Sequence, residues 1–336
     1  MKEKIKEKNG ARQAVENCMK IKNSDNVIIV GDYQSKKIMK LLSDACLKKT
    51  KNVKLFYLED YGKRPLKRLP DEIAKAAKWS TAAFFTAKSA PGEKNSIRLP
   101  LIKIAIAKKG SRQAHMPGVN LEIMRTGMNS DYRKIKKLSK KVYDLVKNAK
   151  TITVTTKKGT WLIAKFSEKI KWIICDGDIA HSKIKWSNLP DGEVFTCPLT
   201  INGFVTVDGV LGDWIGPKYG FMDKQPLKLV IKNGRIVKTE CKNNKLLLDF
   251  NKYIKQDKNA NRIGEFAIGT NVGLKRLIGN LLQDEKFPGI HIAAGDSYSD
   301  HTNSGWKSKA HCDMVIKKAN IFVDNKQIMK EGKFLI

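Results

Sequence analysis

The 336-residue chain has no Cys-x-x-Cys pair. Its six cysteines stand far apart, at positions 18, 46, 175, 197, 241 and 312. That spacing excludes a zinc ribbon and a dense disulfide framework, and leaves reduced, partly buried thiols as the expectation. Long apolar runs are missing too. No stretch reaches the ~18 consecutive apolar residues that a bilayer span needs. The opening Met1-Lys2-Glu3-Lys4-Ile5-Lys6-Glu7-Lys8 has no apolar signal core. A soluble, cytoplasmic chain with no membrane partner is expected. Neither Gly-x-Gly-x-x-Gly nor a phosphate-cradling Gly-Lys-Ser/Thr sequence occurs, so Gly31-Asp32 reads as a strand-end turn and not a nucleotide site.

Acidic residues are scarce: 33 Asp and Glu against 65 Lys and Arg give a formal net charge of +32. Such an excess attracts polyanions through counterion release. The charge is mostly lysine, is spread from end to end, and comes without an arginine cluster suited to bidentate base reading. Nucleic acid is therefore expected only as a nonspecific electrostatic partner.

With 41% hydrophobic residues, the chain is long enough for two domains, each with its own core. The first half alternates strands (Val27-Ile28-Ile29-Val30; residues 53–58; 82–86) with helical stretches (to about Lys48; residues 71–79; 98–109). This is the α/β pattern of a mostly parallel sheet. Ile135, Leu138, Val142, Leu145 and Val146 recur at helical spacing, which predicts a core helix over residues 131–149. Beyond it the texture turns to strands. Residues 151–156 alternate, and Asn233-Gly234 between residues 227–231 and 235–237 is the strongest hairpin signal in the chain. The expected organisation is an α/β N-terminal domain over residues 1–150 and a strand-rich α+β metal-binding catalytic domain over residues 151–336.

Three of the five histidines, His291, His301 and His311, fall in the last third, and His311-Cys312-Asp313 places His and Asp on one face of a strand. Glu193 opens an apolar segment just after a turn. Glu265 lies in Gly264-Glu265-Phe266-Ala267-Ile268-Gly269, and Tyr298 ends the run from His291. Taken together these are nitrogen and oxygen donors suited to zinc, cobalt or manganese, and a carboxylate-rich set favours two bridged ions. Taken singly, each has an ordinary alternative: a paired strand histidine, a turn carboxylate, a half-buried tyrosine.

Four segments occur in order: residues 188–198 (Asn-Leu-Pro-Asp-Gly-Glu-Val-Phe-Thr-Cys-Pro), 264–271 (Gly-Glu-Phe-Ala-Ile-Gly-Thr-Asn), 284–298 (Asp-Glu-Lys-Phe-Pro-Gly-Ile-His-Ile-Ala-Ala-Gly-Asp-Ser-Tyr) and 311–313 (His-Cys-Asp). This series resembles the thermophilic metalloaminopeptidase family of the aminopeptidase T and aminopeptidase S type. In the first half, the strand at Val27 and the turn His115-Met116-Pro117-Gly118 are more faintly similar to leucyl aminopeptidase-like relatives. The resemblance implies a metal-dependent aminopeptidase acting on peptides with a free N-terminus, a homodimer, and two divalent ions (zinc, cobalt, manganese or magnesium). It further implies metal ligands at Glu193, Glu265, His291, Tyr298, His311 and Asp313, with Glu285 and Tyr298 as catalytic groups. The chain departs from the family at Asp296, where the motif carries arginine, and in being shorter, which touches substrate recognition more than metal binding. His301 has no family role and reads as a loop histidine, while Cys312 should face the core. A relative without peptidase activity that binds nucleic acid or regulates, and a metal-dependent amide or ester hydrolase, are the alternative readings.

Overall fold

Val27-Ile28-Ile29-Val30 has no polar position and is wholly buried, the signature of a strand covered on both faces. In a computed structural model, which describes all 336 residues, it forms β1 (Val27–Gly31). Strands β2 (Val53–Tyr57), β3 (Ala82–Phe85) and β4 (Arg112–His115) follow. All pair in parallel, in the order β2-β1-β3-β4, and a short strand over Trp186–Asn188 extends the sheet beyond β4. Helix α1 (Lys2–Arg12) precedes β1, α2 (Lys36–Leu47), α3 (Asp71–Trp79) and α4 (Leu99–Ala105) connect the strands, and α5 (Leu121–Arg125) follows β4. In α3, Asp71 and Glu72 in the first turn and Lys78 in the last complement the helix dipole, and Ile73, Ala76 and Ala77 bury one face at i, i+3, i+4 spacing. After β1, Asp32 accepts from Ser35 N (2.8 Å), Lys88 N (2.7 Å) and Arg64 Nη1 (2.8 Å). The strand-end turn thus uses its carboxylate internally.

Helix α6 (Tyr132–Val146) leads onward. Contacts divide the chain into two units, residues 1–136 with 176–191, and residues 137–175 with 192–336. The chain therefore crosses between units three times, whereas the expected cut near residue 150 is a single crossing located after α6. No helix is long and apolar enough to cross a membrane.

The second unit holds two antiparallel sheets. Its strands are β5 (Thr151–Thr155), β6 (Trp161–Lys165) and β7 (Ile173–Cys175), then, after β8 (Trp186–Asn188) of the first unit, β9 (Glu193–Thr196) and β10 (Thr200–Val207). They continue with β11 (Leu227–Lys232), β12 (Arg235–Glu240), β13 (Ile263–Gly269), β14 (Gly289–Gly295), β15 (His311–Ile316), β16 (Asn320–Val323), β17 (Lys326–Lys330) and β18 (Lys333–Phe334). One sheet has the order β12-β11-β10-β6-β5-β16-β17-β18, the other β15-β14-β13-β9-β7. The β11–β12 turn carries Asn233 at φ 50° and Gly234 at φ 75°, the paired positive values of a tight hairpin. Alternate residues of both sheets meet in one core. Leu162, Ile201, Val205 and Leu229 come from the first sheet, and Phe266, Ile268, Ile292, Cys312 and Met314 from the second. Cys312 thus faces the core, and all six cysteines are free.

Candidate metal centre

Because side chains alternate along a strand, burying Phe266, Ile292, Cys312 and Met314 turns Glu265, His291, His311 and Asp313 to the opposite face of the five-stranded sheet. Strand register then decides who meets whom. Ala267 pairs with His291, Ala293 lies between Glu265 and Asp313, Gly269 pairs with Glu193, and Gly295 pairs with His311. Each polar side chain therefore has an alanine or glycine as a cross-strand neighbour, and the space above those small residues is where the long side chains converge. A bulge at Gly264 re-aims β13 just before Glu265. A Cβ there would stand 2.2 Å from Gly295 O, so the close approach of the two backbones requires glycine.

Glu265 is the hub. Its Oε1 lies 3.3 Å from His291 Nε2, and its Oε2 lies 3.5 Å from His311 Nε2. His291 Nε2 is also 3.5 Å from Glu193 Oε2, and His311 Nε2 is 3.3 Å from Asp313 Oδ1. Two groups of potential ligands result, Glu193–Glu265–His291 and Glu265–His311–Asp313, each with donor atoms within 4.8 Å of one another. They share one carboxylate, which offers a different oxygen to each.

The supporting contacts orient this set. His311 Nδ1 donates to Asp296 O (3.2 Å), which points Nε2 at the carboxylates. The contact uses the backbone of Asp296, so the side chain at that position is immaterial to it. Strand β15 is an edge, and Tyr253 from helix α8 (Asn244–Tyr253; α7 is Ile215–Tyr219) covers it: its hydroxyl donates to His311 O (2.9 Å) and accepts from His311 N (3.0 Å). Tyr298, at φ 49° in the left-handed region, sets its ring 4.7 Å from that of His311 and 5.9 Å from that of Phe195. A non-glycine residue held in that conformation is an outlier of the kind that gathers at functional sites. His301 lies on α10 (Ser299–Thr302; α9 is Leu281–Asp284), outside both ligand groups.

Lys286 was not legible as a site residue. It is 2% exposed, with Nζ 2.5 Å from Glu193 Oε1 and 2.8 Å from Glu285 Oε1. No local pattern distinguishes this lysine from the others. Its position follows from the turn before β14, where Asn271 N donates to Lys286 O (3.0 Å).

Four carboxylates, Glu193, Glu265, Glu285 and Asp313, thus share a buried space with one ammonium. Burial raises the carboxyl pKa of Glu265. Burial likewise pushes Glu285 up to about 8; the Lys286 charge opposes this, and the Asp313 and Glu193 charges add to it. Burial works against a charged His291, yet the Glu265 hydrogen bond and the neighbouring carboxylates raise it to about 9. His311, under the same opposition, is raised to about 10 by Asp313. Asp313 is held down at about 2 against burial, by His311. The site draws two protons onto its imidazoles because it is short of positive charge. Glu193 Oε2, buried with no hydrogen-bond partner, repeats the point. A divalent cation answers both demands, so the donor set fits a metal.

A family model for the thermophilic metalloproteases (M29) matches residues 128–334, which include every one of these side chains. The chain belongs to that family. This metalloprotease matches no curated protein. It shares its fold with two solved structures, each at 15% identity and a TM-score of 0.71. One is 2,5-dihydroxypyridine dioxygenase from Pseudomonas putida, with 98% of this chain and 96% of that chain covered. The other is wild-type AmpT from Thermus thermophilus, with 99% and 100% covered. A fold that carries a dioxygenase does not by itself fix the chemistry, so the metalloprotease's activity has to be argued from its site.

Proposed function

We propose that this metalloprotease is an aminopeptidase that removes N-terminal residues from peptides at a site for two divalent cations. The observation that carries the reading is the sharing of Glu265 between two ligand groups, one oxygen to each histidine. Glu193, Glu265 and His291 would hold one cation, and Glu265, His311 and Asp313 the other. Bound there, divalent cations supply Lewis acidity toward the scissile carbonyl and lower the pKa of water.

The remaining groups have roles that follow from their surroundings. Burial raises the pKa of Glu285 and cations at the neighbouring ligands would lower it again, so it would take a proton from the attacking water and pass it to the leaving amine. Lys286 holds Glu193 and Glu285 in place through its two contacts. Burial raises the Tyr298 hydroxyl well above its usual pKa. It therefore keeps its proton, which suits it to donate to the oxyanion that develops on the substrate. Exopeptidase action on a free N-terminus rests on the family resemblance. A homodimer and a cytoplasmic location belong to the same reading and rest on the family resemblance. The test is hydrolysis of aminoacyl amides by protein whose metal content has been measured. About two divalent ions per chain are expected, with activity lost on chelation and restored on adding metal back. Full activity in a His311→Ala, Asp313→Ala double variant would refute it.

A further inference from the structure

The second unit has another surface that its peptidase chemistry does not use. On β6 and β10 of the eight-stranded sheet, Leu162, Ala164, Ile201 and Val205 point into the core. Trp161 and Phe204 therefore face away from it, 49% and 56% exposed. The two residues are directly opposite each other on adjacent strands. They belong to a row running Lys238, Val230, Phe204, Trp161, Thr155, Asn320 across six strands. Beside that row runs a second, Asn202, Ile163, Thr153, Phe322. The solvent face of an antiparallel sheet is ordinarily polar. Here aromatic and apolar side chains occupy its middle, with threonine and asparagine among them, and exposed Lys165, Lys228 and Lys232 lie at the same face's margins. Two carboxylates border these rows: Glu240, directly opposite Lys228, is engaged by Lys238 at 2.6 Å, and Glu331, whose backbone N donates to Asn320, meets Lys157.

We propose that this face binds single-stranded nucleic acid, with bases stacked on Trp161 and Phe204 and phosphates met by Lys165, Lys228 and Lys232. Each ingredient has a physical reason. Exposed rings side by side on a sheet are a stacking platform for any base, because every base offers a π-face. The lysine margin matches a polyanion: Glu240, directly opposite Lys228, is already engaged by Lys238, and the chain carries a net charge of +32. A duplex keeps its base faces stacked inside and cannot use the rings. A second copy of the chain would bring lysine margin against lysine margin, which disfavours self-association through this face. The sequence reading allowed nucleic acid only as a diffuse electrostatic partner. The paired rings add a contact that charge alone does not supply.

The experiment measures fluorescence anisotropy of labelled 12-nucleotide oligo(U) RNA, 12-nucleotide oligo(dT) DNA and a 12-base-pair duplex with the full chain, across a salt series. Wild-type protein should prefer either single strand to the duplex, and the stronger of the two identifies the natural sugar. A Trp161→Ala, Phe204→Ala variant should bind single strands at least about tenfold more weakly with an unchanged salt slope, while Trp161→Tyr keeps most of the affinity. Lys228→Gln with Lys232→Gln should instead flatten the slope by about 1.4. All substitutions are at exposed positions, and circular dichroism confirms folding. Equal binding by the double aromatic variant and wild type, or no preference over duplex, would reduce the effect to bulk charge and overturn the proposal. So would a wild-type dimer that the aromatic variant dissociates, since the face would then be a self-interface.

Discussion

Metal loading of this site should expel protons, and the structure sets how many. In the metal-free protein at pH 7, His291 with a pKa of about 9 and His311 with one of about 10 are both more than nine-tenths protonated. A cation cannot share Nε2 with a proton, so filling both positions releases about two. Glu285, at about 8, is also mostly protonated at pH 7. Cations nearby weaken its hold, which raises the total toward three. The sign follows from linkage: the metal-free state binds more protons than the loaded state, so metal affinity rises with pH. The apparent overall constant should climb by about two to three powers of ten per pH unit below about pH 8. It should then flatten as His291 and finally His311 lose their protons unaided. Calorimetric titration of chelator-stripped protein with zinc in buffers of different ionisation enthalpy reads the proton count directly, and repeating it at pH 6, 7, 8 and 9 reads the slope. Release of less than one proton at pH 7, or an affinity indifferent to pH, would mean that the imidazoles are not charged by Glu193, Glu265 and Asp313 as the geometry requires.

Replacing the shared carboxylate should damage both positions, and replacing an unshared one only its own: Glu265→Gln should weaken both ions by roughly 2–5 kcal/mol each, whereas Glu193→Gln should leave one tight site, a difference that metal stoichiometry under dialysis resolves. In the first unit, Asp178 meets Lys136, Lys20 (3.2 Å) and His181 (3.0 Å), and against the opposing effect of burial these hold its carboxyl at about 2. A depressed carboxyl stabilises above its unfolded pKa of about 3.8 and loses that contribution as pH falls toward 2. With the screening due to its exposed lysine partners, Asp178→Asn should cost about 1 kcal/mol at pH 6 and almost nothing at pH 2, which urea titrations at the two pH values would check.

Much of this site could be read without coordinates, for a physical reason. Period-two alternation puts His311 and Asp313 on one face of their strand, and the ordered family segments supply Glu193, Glu265 and His291. The same logic made β1, α3 and the Asn233-Gly234 hairpin legible, since each is decided by neighbours in sequence. What stayed hidden is decided by partners far along the chain. The return of residues 176–191 to the first unit depends on β4 accepting Trp186–Asn188 as a parallel neighbour, which no local pattern encodes. Lys286 looks like any of the 65 basic residues until its turn is folded. The place of Glu265 in both ligand groups is set by the register of β13 against β14 and of β14 against β15.

That register gives the small residues Ala267, Ala293, Gly269 and Gly295 a meaning beyond making room. Core and site occupy opposite faces of the same four strands, so a slip of one residue in any pairing would drive a charged ligand inward and an apolar core residue outward together. The protein therefore cannot misthread this sheet and still chelate. Bound metal per chain is a direct report of how many molecules in a preparation carry the correct strand alignment, obtainable without unfolding any of them.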